Sequence, residues 1–307
     1  MIPMQETFLC GSYPPLLTPF RDGKVDLEKF AELAERQARE GSHGVVVCGT
    51  TGEPSSLTPD ERTELVKVAV EVIAKRIPVV AATGSQSFAE TLEITRRAEK
   101  AGADAVLVVT PYYIKPSQRG LVEYFISVGQ RTELPLMIYH IPGRAAVSVK
   151  PVTVARIAER LPNLVGIKHA VNDLEFVTEL LTELGPEFRV FCGLEALSLP
   201  MLVVGARGLM NAVSNLAPAR VAALYEAVEQ GDLATARKLH AELFELNQSI
   251  FLDTNPGPLK YMMSRLGLLD FPELRLPLVS MDGEQAKILD KVLVRSGLLQ
   301  AAISRGN

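Results

Sequence analysis

PVVAATGSQSFAETLEITRRAEKAGADAVLVVTPYYIKPSQRGLVEYFISVGQRTELPLMIY, residues 78–139, holds three short apolar runs separated by two stretches of helical period. Pro78 to Thr83, Ala105 to Thr110 and Leu136 to Tyr139 read as buried strands, while Ser87 to Ala101 and Leu121 to Thr132 read as amphipathic helices. The alternation continues in both directions. Upstream lie strand candidates Tyr13 to Thr18 and Val45 to Thr50, with helical Leu27 to Glu40 and Thr58 to Ala74. Downstream lie Leu164 to Lys168, Val190 to Gly193 and Gly208 to Asn211, with helical Val152 to Arg160 and Leu174 to Leu184. Asp26, Thr58 before Pro59, and Asp173 stand where helix N-caps belong. Eight strand–helix units in about 230 residues predict a closed (β/α)8 TIM barrel, since a doubly wound open sheet uses fewer strands.

After Asn215 the strand-like runs stop. Arg220 to Glu229, Leu233 to Ser249, Pro258 to Leu266 and Glu284 to Gly297 are helical in pattern, so the reading is a barrel over 1–231 and a C-terminal helical extension over 232–307. The 307 residues are 47% hydrophobic, enough for a large core, and the formal charge of -4 argues against a nucleic-acid partner. No apolar stretch approaches the roughly 18 to 20 residues of a membrane span, and MIPMQETFLCGSY lacks the layout of a secretory signal. A soluble cytoplasmic protein is expected. Cys10, Cys48 and Cys192 are odd in number and widely spaced in apolar contexts, which suits reduced core thiols rather than disulfides or a metal site.

In such a barrel the C-terminal strand ends converge on one pocket. Those ends carry Thr50 and Thr51 in GTTGE, Thr110, Tyr139, Lys168, Gly193 and Asn211, with Arg144 just beyond Tyr139. An amine set in an apolar run favours its neutral, nucleophilic form, which makes Schiff bases with carbonyl compounds. A tyrosine one strand away can relay protons, turn N–H groups can hold a carboxylate, and an arginine can grip a second one. Each part also has a plain structural reading: a snorkelling lysine, a core tyrosine, a simple turn, a surface arginine. The barrel favours a site because it brings all four together.

Five motifs carry a family resemblance over nearly the whole chain: GTTGE at 49–53, TPYYIKPSQRGL at 110–121, YHIPGR at 139–144, GIKHA at 166–170 and NPGPLK at 255–260. They resemble the dihydrodipicolinate synthase and N-acetylneuraminate lyase family of class I aldolases. The resemblance implies a (β/α)8 barrel with three C-terminal helices, a homotetramer built as a dimer of dimers, and no metal or organic cofactor. It also implies that Lys168 forms the Schiff base with pyruvate and that Tyr139 relays protons, coupled to Thr51 and to a Tyr113 that crosses into a neighbouring subunit. Thr50 and Thr51 would lie against the pyruvate carboxylate, and Gly193 and Met210 would line its pocket.

Arg144 and NPGPLK resemble the synthase branch, in which pyruvate condenses with L-aspartate semialdehyde. The alternative is another pyruvate-dependent aldolase or dehydratase of the family, acting on a sugar-derived or catabolic 2-oxo acid; a reading outside enzymes is a metabolite-binding barrel. Four departures from the synthase pattern bear on the aldehyde: His140 for asparagine, Gly143 and Ala145 for serine and threonine beside Arg144, His169 for glutamate, and Leu194-Glu195 for an acidic pair. Strand alternation turns His140 and His169 toward the helix layer, whereas loosening at the rim would set them against a longer aldehyde. Glu90 and Tyr112 match the pattern of lysine-inhibited synthases but Pro54, Pro59, Arg62 and Gln86 do not, so weak or absent inhibition by lysine is expected.

Overall fold

The computed structural model describes residue 1 and residues 3–300. Its eight parallel strands are β1 Gly11–Ser12, β2 Val45–Val47, β3 Val79–Ala82, β4 Ala105–Val109, β5 Leu136–His140, β6 Leu164–His169, β7 Arg189–Cys192 and β8 Gly208–Leu209. Strands β2 to β8 pair in chain order, and β8 pairs with β1. The seam between β1 and β2 closes through Pro15 and Val46: Leu16 N–H donates to Val46 O at 2.9 Å, and Val46 N–H to Pro14 O at 2.9 Å. A closed (β/α)8 barrel results.

The first strand departs from the expected Tyr13 to Thr18. Pro14 and Pro15 have no N–H to give a ladder, so regular pairing is confined to residues 11–12 and one bridge at Pro15. A second difference is a small antiparallel ribbon, Phe20–Arg21 against Lys24–Val25, turned by Asp22 and Gly23 at φ +52° and +75°. Asp-Gly is the dipeptide that such two-residue hairpins favour.

The helices around the barrel are α1 Leu27–Arg39, α2 Pro59–Ile73, α3 Phe88–Lys100, α4 Gln118–Gly129, the short α5 Pro142–Ala145, and α6 Pro151–Arg160. They continue with α7 Leu174–Leu184, the short α8 Ser198–Val203 and α9 Pro218–Glu229. The expected caps are in place: the side chains of Asp26, Thr58 and Asp173 accept from the backbones of Lys29, Glu61 and Phe176, and Thr58 with Glu61 completes a capping box. Beyond Gly231 come α10 Leu233–Ser249, α11 Gly257–Arg265 and α12 Gly283–Arg295. Leu243, Leu246, Leu259, Met262 and Leu289 of these helices share one apolar cluster with barrel residues such as Val190 and Leu209. Residues 301–307 of the helical extension lie outside the described residues.

Side chains alternate between two cores. Leu9, Tyr13, Val46, Val80, Leu107, Met137 and Phe191 fill the barrel, whereas Val106, Val108, Leu136, Ile138 and Val190 meet the helix layer. Strand β6 breaks the alternation once: Leu136 pairs with Leu164, but Met137 pairs with Gly166, so Val165 is an extra residue in a bulge. Leu164 faces the helices and Val165 the barrel; beyond the bulge Ile167 again faces the helices. A one-residue insertion inverts every later side chain, so without it Lys168 would point at the helix layer. The bulge also explains Gly166. A Cβ there would stand 2.3 Å from Arg189 O on β7.

No helix among the described residues is long and apolar enough to cross a membrane. Cys10, Cys48 and Cys192 are free and buried.

Candidate active site

Tyr139 and Lys168 are direct register partners on β5 and β6, so both project into the C-terminal mouth of the barrel. Lys168 is 5% exposed, and its Nζ lies 4.4 Å from the centroid of the Tyr139 ring. Below it is the apolar barrel floor of Val46, Val80, Leu107, Met137 and Phe191. Gly193 lies alongside: a Cβ there would come within 2.9 Å of Lys168 Cε and of Ala170 Cβ, so only glycine leaves the lysine stem its place. Met210 is buried in the same inner core.

The hydroxyl facing Tyr139 belongs to Thr50, at 3.4 Å from Tyr139 Oη. This corrects the expected coupling through Thr51. Thr50–Gly52 form a one-turn 3-10 helix, which aims the two consecutive threonines differently. Thr51 is buried and its Oγ1 accepts from Asn255 Nδ2 at 3.0 Å. The turn is fastened from below by Thr18, whose Oγ1 donates to Gly52 O at 2.8 Å. The N–H groups of Thr50 and Thr51 open this turn, where backbone donors have no partner within the turn itself.

Thr50, Tyr139, Ile141 and Arg144 line a cavity of about 650 Å3 whose wall continues over Tyr112, Glu90 and Arg275. Arg144 reaches it from α5, a four-residue helix that leaves the end of β5 and stops at Ala146, φ +55°. Tyr113 is not brought to this cavity. It sits at φ +72° on the loop after β4 and is 83% exposed, with Ile114 beside it at 60%.

Two of the four departures from the synthase pattern lie away from the cavity, which corrects their expected grouping on the aldehyde side. His140 and His169 are register partners on the outer barrel face, 2% and 0% exposed, and pack on Phe176 of α7. On β5, and on β6 beyond the bulge, alternation thus holds to the last strand residue. Burial pushes the His140 imidazole down to about 3, with His169 adding to the shift, and burial pushes His169 down to about 4. Both rings are therefore neutral at physiological pH. Glu195 is buried, its Oε1 accepting from Ala212 N–H at 2.6 Å, and burial pushes its carboxyl up. Ala145 is buried but lines the cavity beside Arg144, and at Gly143 a Cβ would meet nothing within 4 Å.

NPGPLK also holds a second buried lysine. Lys260 of α11 is ion-paired with Glu53 of the GTTGE turn at 2.5 Å, and the two side chains are 0% and 1% exposed. Lys260 Nζ also donates to Glu273 O at 2.7 Å and stands 4.1 Å from the Phe20 ring centroid. Burial pushes its ammonium down to about 8, with the Glu53 carboxylate opposing that shift. Sequence offered no route to this pair, because the residues are 207 positions apart (260 minus 53). Removing one member strands the other charge, so Lys260→Met should cost about 3–5 kcal/mol in urea unfolding, and Glu53→Gln combined with Lys260→Met should cost clearly less.

A (β/α)8 barrel with a lysine amine and a tyrosine hydroxyl at its C-terminal rim is the architecture of a Schiff-base lyase. The sequence pattern of the Dihydrodipicolinate synthetase family matches residues 9–295, and the chain belongs to that family. It is 48% identical over 290 residues to a 4-hydroxy-tetrahydrodipicolinate synthase of Thermus thermophilus, covering 94% of this chain and 97% of the relative. The 4-hydroxy-tetrahydrodipicolinate synthase structure from Methylacidiphilum fumariolicum SolV superposes with a TM-score of 0.92 at 40% identity, covering 94% of this chain and 96% of that one. Dihydrodipicolinate synthase from Acinetobacter baumannii, solved with pyruvate, superposes with a TM-score of 0.92 at 34% identity, covering 95% of this chain and 100% of that one.

Proposed function

We propose that this chain is a lyase that condenses pyruvate with L-aspartate semialdehyde through a Schiff base on Lys168. The observation that carries the reading is the placement of the Lys168 amine against Tyr139, whose hydroxyl meets Thr50, with Arg144 on the wall of the same cavity. The amine of Lys168 adds to the keto carbon of pyruvate, and the carbinolamine loses water to give the iminium. Tyr139, steadied by Thr50, carries the protons of these steps and of the C3 deprotonation that makes the enamine. The N–H groups of Thr50 and Thr51 hold the pyruvate carboxylate, and Gly193 and Met210 shape the space beside the lysine.

The enamine carbon then attacks the aldehyde, whose carboxylate is held by Arg144. The semialdehyde's amino group displaces the lysine amine at the former keto carbon, closing the ring as 4-hydroxytetrahydrodipicolinate and freeing Lys168. No metal or organic cofactor enters this scheme. Support for aspartate semialdehyde over a sugar-derived partner comes from Arg144 at the cavity wall and from the back-facing positions of His140 and His169.

Arg144→Ala should lower kcat/KM for aspartate semialdehyde by about tenfold to a hundredfold, the worth of a charge-assisted hydrogen bond, with pyruvate binding unchanged. A panel of aldehydes offered with pyruvate, read by product mass, tests the choice of substrate. Aspartate semialdehyde should be preferred, and a hydroxylated aldehyde used better would overturn the assignment.

The protein is further proposed to act in the cytoplasm as a homotetramer, a dimer of dimers. The exposed Tyr113 and Ile114 fit a loop that a neighbouring subunit covers, with Tyr113 completing the neighbour's relay. Sedimentation at micromolar concentration tests this. The catalytic barrel is taken as 1–231 and the helical region as 232–307. Lysine should inhibit weakly or not at all, and micromolar inhibition in a steady-state assay would contradict that expectation.

A further inference from the structure

The loop that carries Arg144 leaves β5 at His140 and returns to the same residue. His140 Nε2 lies 2.9 Å from Ser148 Oγ, so one imidazole is both the root of the loop and its clasp. On its other side His140 Nδ1 lies 3.1 Å from His169 Nδ1, and His169 Nε2 lies 3.2 Å from Asp173 O. The proton positions follow from the partners. A carbonyl only accepts, so His169 carries its hydrogen on Nε2 and presents a bare Nδ1. His140 must then donate from Nδ1, which leaves its Nε2 to accept from the Ser148 hydroxyl. Each neutral ring satisfies one donor and one acceptor, and the chain runs in one direction from Ser148 to Asp173.

The surroundings hold this arrangement. His169 stacks on Phe176 at 4.3 Å between centroids and 17° between planes, which holds the plane of its ring against α7. The far end of the loop is pinned again by Gln118 of α4, whose Nε2 donates to Ser148 O at 2.7 Å and whose Oε1 accepts from Lys150 N–H at 3.0 Å. Between the clasp residues stands α5 with Arg144.

We infer that His140 and His169 are positioning residues for the second substrate: they fix the closure of the 140–148 loop and thereby the place of Arg144 against Lys168, on whose strand His169 sits. The inference rests on the reading of Arg144 as the carboxylate-binding residue. Neither histidine touches substrate. The pair does at the back of the barrel what a donor–acceptor pair of other residues would do, because what the clasp needs at 169 is one acceptor toward His140 and one donor toward Asp173.

Steady-state kinetics of the full chain test it, with pyruvate and aspartate semialdehyde varied separately. Ser148→Ala, on an exposed residue, should raise KM for aspartate semialdehyde about tenfold, the loss of one hydrogen bond, and His169→Phe, which keeps the stack on Phe176 but loses the bonds to His140 and Asp173 O, should raise it at least as much. KM for pyruvate should stay within about twofold in both. His169→Gln should restore the aldehyde KM, since its amide oxygen accepts and its amide N–H donates at the same two places. An unchanged aldehyde KM in Ser148→Ala overturns the inference, as does a pyruvate KM that rises in step with that of the aldehyde. Arg144→Ala in the same series separates the two levels. If it raises the aldehyde KM while Ser148→Ala does not, the clasp is wrong and the site reading stands; if it has no effect, the site reading fails first.

Discussion

Lys168→Ala will abolish condensation, lowering kcat by at least about 10^4-fold, the scale seen when the nucleophile of a covalent mechanism is removed. The chain has a second deeply buried lysine, Lys260, but it cannot substitute. Its ammonium is committed to Glu53 at 2.5 Å and to Glu273 O at 2.7 Å. Removing the Lys168 side chain should leave the fold intact, because the barrel floor beneath it is apolar and the strand is fixed by register on both sides. Circular dichroism and melting temperature should therefore resemble the parent protein, and the loss should lie in chemistry alone. Retained turnover in this variant would remove the Schiff base from the mechanism.

Tyr139→Phe should lower kcat by about 10^2 to 10^4-fold, the usual worth of a positioned general acid–base group. The substitution is clean in structural terms. The ring that faces the Lys168 amine at 4.4 Å remains, and the contact removed is the 3.4 Å approach to Thr50 Oγ1. Schiff-base formation should thus persist, slowed, while enamine-dependent exchange of the pyruvate methyl protons with solvent collapses. Thr50→Val should show the same pattern at smaller amplitude, and Thr51→Val should not, since the Thr51 hydroxyl is engaged with Asn255. A kcat loss in Thr51→Val as large as in Thr50→Val would restore the relay that the motif alone implies.

The contrast between the two threonines marks where sequence reasoning stops. The barrel was legible because period-2 and period-3.6 segments alternate with recognisable caps, and the strand ends were legible because a parallel strand buried on both faces must stop where polar residues begin. Which of two adjacent threonines faces the tyrosine depends on a single 3-10 turn, and no periodicity encodes that. The inward aim of Lys168 has the same character. It depends on the bulge at Val165, which the run Leu164-Val165-Gly166-Ile167 does not announce, apart from a glycine in mid-strand.

Other misses did have signals. Asp22-Gly23 is a hairpin dipeptide and should have marked the ribbon at 20–25; Pro14-Pro15 should have shortened the first strand. The Glu53–Lys260 pair and the Asn255 bond to Thr51 had none, because they join the helical extension to the first catalytic turn across the whole sequence. The four departures from the family pattern were visible as residue types but not as places. Burial on the outer barrel face, rather than residue identity, takes His140 and His169 out of the aldehyde's reach.

The central claim is that Lys168 forms a covalent imine with pyruvate, and borohydride reduction tests it most directly. Incubating the protein with pyruvate and borohydride, then mapping the adduct by peptide mass spectrometry, should place one reduced pyruvyl group per chain on Lys168, dependent on pyruvate and absent from Lys168→Ala. No pyruvate-dependent adduct, or an adduct on Lys260, would contradict the account.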